Sequence, residues 1–121
     1  MANILVVEEY RTVGLLYREV FQDDGHKVFL ALSGQGALDL AMHERVDVVV
    51  VDDILSDFSA EELFEALKRL QHPLKGILSV SADFGPRHEA RSWDGIITKT
   101  INFTSLQAEV KRLCQESSSA D

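Results

Sequence analysis

The stretch from Val46 to Asp53 reads Val-Asp-Val-Val-Val-Val-Asp-Asp, and it decides the fold. β-Branched side chains lose rotamer freedom in a helix, and an apolar run without polar alternation suits a strand buried on both faces. We therefore predict a central strand from Val46 to Val51 in a parallel sheet. The run ends at two carboxylates, Asp52 and Asp53, where open α/β sheets bind their ligands. A loop or helix-capping role for these two residues is the plainer alternative.

Composition limits the class of protein. The 121 residues, of which 45% are hydrophobic, suffice for one domain with a sizeable core. No apolar run approaches the roughly 20 residues that cross a bilayer, and the short N-terminal run is not of the signal-peptide type. The single cysteine, Cys114, fits a reducing compartment, so we expect a cytoplasmic protein without membrane contact. The net charge of −8 argues against nucleic acid as a partner.

Strand-like and helix-like segments alternate along the chain. The predicted strands are Asn3 to Val7, Lys27 to Ala31, Val46 to Val51, Gly76 to Val80 and Ile96 to Thr98. Amphipathic segments separate them, and one of these opens on Ser59-Ala-Glu-Glu62, a capping-box pattern. Because parallel strands need helix-sized crossovers, this alternation predicts an α/β fold with helices on both faces of a parallel sheet.

The ends of the predicted strands carry polar residues. These are Glu8, Glu9, Asp52, Asp53, Ser81 and Lys99. Carboxylates at one edge of a sheet repel each other unless a cation lies among them, and oxygen ligands suit Mg²⁺. A lysine and a hydroxyl suit a phosphoryl group, and an aspartate can act as a nucleophile that carries an acyl phosphate. The residues alone therefore predict a Mg²⁺-dependent aspartyl-phosphate site.

Several motifs follow one another in order along the chain. They are Ile4-Leu-Val-Val-Glu-Glu9, Asp47-Val-Val-Val-Val-Asp52, Ser81-Ala82 and Thr98-Lys99. Together they resemble the receiver domains of two-component response regulators, above all the single-domain type to which chemotaxis regulators belong. The resemblance covers residues 1–116 and leaves 117–121 as a polar tail. It implies a flavodoxin-like sheet in the order 2-1-3-4-5 with five helices, the fourth shortened because Ser81 and Lys99 are closer in sequence than usual.

The resemblance assigns roles by position. Asp52 corresponds to the phosphoacceptor, Lys99 to the residue that pairs with the acyl phosphate, and Ser81 to the residue that binds a phosphoryl oxygen. The implied Mg²⁺ ligands are Glu9, Asp52, the backbone carbonyl of Ile54 and, through water, Glu8. Because apolar Ile54 offers no group that positions an attacking water, we expect slow self-dephosphorylation and no other enzymatic activity.

The resemblance also implies partners. A sensor histidine kinase or a histidine phosphotransfer protein would donate the phosphoryl group. Since no output domain follows Glu116 within these 121 residues, we expect a downstream effector protein to respond to the phosphorylated state. The chain could equally be a fragment of a longer regulator.

Four positions depart from the family pattern. Glu9 replaces the usual aspartate, and we predict weaker Mg²⁺ binding because Mg²⁺ demands near-ideal octahedral geometry. Thr100 replaces a proline that follows a cis bond, and we predict a trans bond because a non-proline cis bond costs about 2.5–4 kcal/mol. Ile96 stands in place of an aromatic residue that reports activation. Ser56 replaces a common proline.

These departures leave an alternative function open. The chain could be a degenerate receiver that acts as a protein-interaction module without phosphorylation. A small phosphatase with an aspartate nucleophile is a third candidate. It is disfavoured because that nucleophile follows the first strand of its sheet, with a second aspartate two residues on, where this chain has Ile54.

Overall fold

A computed structural model of the chain describes residues 2–81, 92–99 and 104–119, with Ser81, Lys99 and residues 116–119 described by their backbone alone. The elements are β1 (Asn3–Val7), α1 (Arg11–Asp23), β2 (Lys27–Ala31), α2 (Gly34–Ala41), β3 (Val48–Asp52), α3 (Ala60–Leu70), β4 (Lys75–Ser81), β5 (Gly95–Lys99) and α4 (Thr104–Ser119). All five strands are parallel, in the order β2-β1-β3-β4-β5, which confirms the prediction. None of the described helices is long and apolar enough to cross a membrane.

The predicted short helix between the fourth and fifth strands falls on residues 82–91, outside the described part of the chain. The four described helices lie in pairs on the two faces of the sheet. Residues of α2 and α3 pack in one apolar cluster, and residues of α1 and α4 pack in the other. The sheet therefore separates two cores, as a parallel sheet with crossovers on both faces requires.

The central strand β3 is buried over its whole length. Val49 and Val51 pack in the α2 and α3 core, whereas Val48 and Val50 pack in the α1 and α4 core. Burial on both faces is thus confirmed. The predicted bounds were shifted, because Asp52 pairs with Ser79 of β4 and so extends the strand by one residue, while pairing with β1 and β4 begins only at Val48.

Helix α3 begins at the predicted capping box. The Ser59 hydroxyl accepts from the Glu62 amide at 3.1 Å, and the Glu62 carboxylate accepts from the Ser59 amide at 3.3 Å. The buried Trp93 packs against this helix. Its ring stacks on Phe64 with centroids 4.6 Å apart, and its Nε1 donates to Glu61 at 3.3 Å. Trp93 therefore ties the segment before β5 to α3.

Helix α4 continues to Ser119. The predicted polar tail of residues 117–121 overlaps the end of this helix, and the tail itself stays a prediction. Leu106, Val110 and Leu113 of this helix are buried, and Cys114 is partly buried. The domain boundary at Glu116 stays a prediction.

The loop after β3 is attached to the start of α2. Asp57 accepts from the Gly34 amide at 3.0 Å and from the Gln35 amide at 2.9 Å, and the Ser33 hydroxyl accepts from the Gly36 amide at 3.0 Å. These bonds satisfy three of the donors that every helix start leaves without intrahelical partners. The hydrogen bond from Gln35 is the main cause that lowers the pKa of Asp57. The loop that follows Asp52 is therefore fixed from this side.

Candidate functional site

Strand register brings two carboxylates together at one edge of the sheet. Val7 of β1 pairs with Val51 of β3, so the next residues, Glu8 and Asp52, lie side by side at the ends of adjacent strands. The Glu8 amide continues the pairing with β2 by donating to the Ala31 carbonyl at 3.0 Å. The backbone of Glu8 is thus held by the sheet. Glu8 and Asp52 therefore lie next to each other, as predicted.

The other two strand ends meet at the same edge. Asp52 pairs with Ser79 of β4, and two residues further along β4, about 7 Å on, Ser81 pairs with Lys99 of β5. The backbones of the predicted phosphoacceptor, hydroxyl and lysine positions therefore lie on consecutive strands. This arrangement follows from the register and not from sequence proximity.

Glu8 and Asp52 are both deeply buried. Glu8 is 0% exposed and Asp52 is 4% exposed. Glu8 Oε1 accepts from the Tyr10 amide at 3.1 Å, and Asp52 Oδ1 accepts from the Ile54 amide at 3.4 Å. Burying two adjacent carboxylates is costly unless positive charge compensates them. The local charge thus favours a cation or a cationic side chain at this edge.

The Glu9 side chain is more exposed than that of Glu8 and has different hydrogen-bond partners. It is only partly buried, and its Oε2 accepts from the Ser56 amide at 3.0 Å and also from the Ser56 hydroxyl. The Glu9 carboxylate is therefore bound to the loop after β3. Two positions at which the chain departs from the family pattern contact each other here.

Asp53 and Ile54 begin the loop after β3. The Asp53 amide donates to the Ser79 carbonyl at 3.0 Å, which carries the pairing with β4 one residue past the strand. The Asp53 side chain is partly buried. Ile54 is 52% exposed, so an apolar side chain faces solvent two residues after Asp52.

The candidate ligands suit Mg²⁺ by donor type but not by their placement. The candidate ligands are all oxygens, from carboxylates and a carbonyl, which is the donor type that Mg²⁺ prefers. Yet within residues 2–81, 92–99 and 104–119, no three His, Cys, Asp or Glu side chains are placed to hold a metal ion together. The binding of Glu9 to Ser56 gives a physical reason. The donor types fit the ion, whereas the side chains as placed do not form a complete set.

Two residues near Asp52 were not singled out from the sequence. Ser79 is 1% exposed, and its hydroxyl lies 3.5 Å from the hydroxyl of Tyr17, which is 4% exposed and belongs to α1. This polar contact joins α1 to the strand next to Asp52. A serine inside the apolar run of β4 was the available signal in the sequence.

Several sequence predictions fall outside the described residues. They concern Ala82 of the Ser81-Ala82 motif, the shortened fourth helix and the Lys99–Thr100 peptide bond. The side chains of Ser81 and Lys99 lie outside the description as well, so their roles stay predictions. Ile96 is described, and its side chain is 39% exposed on β5.

The chain is similar to known proteins in sequence. Residues 4–111 match the response regulator receiver domain. A 76-residue stretch is 29% identical to the sporulation initiation phosphotransferase F of Bacillus subtilis (strain 168). That match covers 63% of this chain and 61% of the relative, so it spans about three fifths of the length of that protein.

Solved structures share the fold. The response regulator TrrA of Thermotoga maritima, in complex with Mg²⁺ and BeF, is 25% identical with a TM-score of 0.83, over 93% of this chain and 99% of that one. A CheY-like receiver domain protein of Methanospirillum hungatei is 19% identical with a TM-score of 0.86, over 100% and 99% of the two chains. The family match covers most of this sequence. The chain therefore belongs to the response regulator receiver domain family of two-component signalling.

Proposed function

We propose that the chain accepts a phosphoryl group on Asp52 from a histidine of a sensor kinase or of a phosphotransfer protein. The observation that carries this proposal is the strand register. It places Asp52 beside Glu8 and puts the Ser81–Lys99 pair at the same edge of the sheet. The names of two similar proteins lend support, since one is a phosphotransferase and the other was solved with Mg²⁺ and BeF.

The transfer is a substitution at phosphorus. A carboxylate oxygen of Asp52 forms the new bond to phosphorus, and the bond between phosphorus and the imidazole nitrogen breaks. The electron pair of that bond stays on the nitrogen, and because the other ring nitrogen of the phosphohistidine carries a proton, the donor leaves as a neutral imidazole. Asp52 is 4% exposed, and its carboxylate is already oriented by the Ile54 amide, which lowers the cost of positioning it.

The neighbouring residues supply charge and hydrogen bonds. The Lys99 ammonium would neutralise a phosphoryl oxygen, and the Ser81 hydroxyl would donate to another. Glu8, Glu9, Asp52 and the Ile54 carbonyl would hold Mg²⁺. When bound, this ion neutralises charge on the transferring group and orients it. Because the described acidic side chains as placed do not form a group of three that could hold a metal, the Glu9 side chain would have to move to join the set.

The phosphorylated state would be long-lived and would be recognised by a downstream effector protein. The exposed apolar side chain of Ile54 offers no acid, base or amide that orients water toward the acyl phosphate. Slow self-dephosphorylation is therefore expected, and the loss of the added mass with time measures it. Beyond this phosphoryl exchange, no turnover of a substrate is proposed.

One observation favours the degenerate receiver as a second candidate. The Glu9 carboxylate is bound to Ser56, and the described acidic side chains do not form a group of three that holds a metal. A receiver that never binds Mg²⁺ would signal through its surface alone.

An intact-mass measurement with a small phosphodonor distinguishes the two candidates. The protein is incubated with acetyl phosphate and Mg²⁺ beside the isosteric variant Asp52→Asn and the matched control Asp53→Asn. We expect one added phosphoryl group on the wild type and on Asp53→Asn, and none on Asp52→Asn. A folded wild type that gains no mass at any Mg²⁺ concentration would favour the interaction module.

A further inference from the structure

The contact between Glu9 and Ser56 has a consequence for cation binding. Both donors of Ser56, the amide and the hydroxyl, reach the same oxygen of Glu9. A proline at position 56 could not form the first of these bonds, because it has no N–H. An aspartate at position 9 would have a side chain shorter by one methylene and so a shorter reach toward the loop. The contact thus depends on the combination of residues in this chain.

The contact between Glu9 and Ser56 consists of two hydrogen bonds. Hydrogen bonds to an ionised acceptor are stronger than those between neutral groups, and here two of them converge on one carboxylate oxygen. Glu9 is partly buried and Ser56 is exposed, so water weakens the contact without abolishing it. The two residues are 47 positions apart in sequence, and their contact joins the end of β1 to the loop after β3.

Mg²⁺ and Ser56 would compete for the same carboxylate. The buried pair of Glu8 and Asp52 provides negative charge at the sheet edge, but a third carboxylate is held by Ser56. Glu9 does not form, together with Glu8 and Asp52, a group of described side chains placed to hold a metal ion, so its side chain would have to move, and so leave Ser56, before it could become a ligand. The energy of the two hydrogen bonds is then subtracted from the energy of metal binding.

We propose that Ser56 is a positioning residue that holds Glu9 away from the cation site, so that Mg²⁺ binds by displacing Ser56 from Glu9. Binding of the ion then releases the loop after β3 at one of its attachments. This inference rests on the proposed function, because it assumes that the acidic edge takes up Mg²⁺. Under this proposal Ser56 lowers the affinity for Mg²⁺, whereas the acidic ligands raise it.

Calorimetric titration with MgCl₂ tests the proposal on the free protein without any phosphodonor. Ser56→Ala removes the hydroxyl and keeps the amide, whereas Ser56→Thr keeps both donors. We expect Ser56→Ala to bind Mg²⁺ about three- to tenfold more tightly than the wild type, as the ordinary net contribution of one solvent-exposed hydrogen bond implies. Ser56→Thr should bind like the wild type.

A matched serine variant controls for general effects on the loop. Ser59→Ala removes an exposed hydroxyl three residues away that caps α3 and does not contact Glu9. It should lower the thermal stability and leave the Mg²⁺ dissociation constant unchanged. A purely structural role for Ser56 would make Ser56→Ala behave in the same way.

The Ser56 amide gives a second readout in the wild type. In ¹H–¹⁵N spectra, saturating Mg²⁺ should shift the Ser56 amide resonance and speed its exchange with solvent, because its acceptor has left. Equal or weaker Mg²⁺ binding by Ser56→Ala would overturn the proposal, and so would an unmoved Ser56 amide or a protein that binds no Mg²⁺. The proposed phosphorylation of Asp52 is judged separately by intact mass, so the two failures are distinguishable.

Discussion

Two consecutive residues attach the loop after β3 in opposite directions. Ser56 donates to the carboxylate of Glu9 at the end of β1, whereas Asp57 accepts from the Gly34 and Gln35 amides at the start of α2. The chemistry is the same in both contacts, since a carboxylate accepts hydrogen from a backbone N–H. The two contacts differ in whether the carboxylate, of Glu9 or of Asp57, could also bind a cation.

Asp57 accepts hydrogen bonds from donors that belong to the start of a helix. We expect its contact to persist whether or not a cation is present. Glu9 immediately follows the buried Glu8, so its carboxylate can serve either the loop or an ion. We therefore expect one attachment to persist as part of the fold and the other to respond to a cation. The predictions below test this distinction.

The largest expected effect is on metal binding by Glu9→Gln. The amide oxygen of the new side chain can still accept from Ser56, but the charge that attracts a cation is lost. We expect the Mg²⁺ affinity to fall by about tenfold or more, with little change in the melting temperature of the metal-free protein. Calorimetric titration and thermal unfolding measure the two quantities. An unchanged affinity would remove Glu9 from the ligand set.

The complementary variant Asp57→Ala should change stability and not metal binding. It removes the acceptor of two backbone donors at the start of α2. From the usual cost of losing such a capping group, we expect the melting temperature to fall by about 3–6 °C while the Mg²⁺ dissociation constant stays the same. Asp39→Ala is a suitable control, because the exposed Asp39 carboxylate accepts from the Gln35 side chain at 3.1 Å and does not cap the start of the helix. A changed dissociation constant would mean that both attachments report on the metal.

The smallest expected effect concerns acid stability. The hydrogen bond from the Gln35 amide lowers the pKa of Asp57 in the folded state below its ordinary value of 3.8. A depressed pKa stabilises the fold fully above the unfolded value, and this contribution is lost as the pH falls through the folded value. The stability difference between wild type and Asp57→Asn should therefore shrink as the pH falls below about 4. Denaturant unfolding from pH 6 to pH 3 measures it, and parallel curves would contradict the assignment.

The features that were predicted correctly depend on residues that are close together in the sequence. The valine run of β3, the alternation of strands and helices from β1 to β4, and the capping box at Ser59 each depend on neighbouring residues, and all three occur as predicted. The bounds of β3 were displaced because its pairing with Ser79 depends on another strand.

Contacts between distant side chains could not be predicted in this way. Glu9 reaches Ser56 across 47 positions, and Trp93 reaches Glu61 across 32. Neither contact leaves a periodic pattern, since each depends on where two loops or elements lie after folding. The backbone neighbourhood of the candidate site was therefore predictable from parallel strands, whereas the orientation of Glu9 within it was not.

The most direct test of the account is to locate the phosphoryl group. After reaction with acetyl phosphate and Mg²⁺, borohydride reduces an aspartyl phosphate to homoserine, and tandem mass spectrometry of the digested protein identifies its position. We predict homoserine at position 52, in the wild type and in Ser56→Ala alike. Homoserine at position 53, or none at either position in a folded protein, would contradict the assignment of Asp52 as the phosphoacceptor.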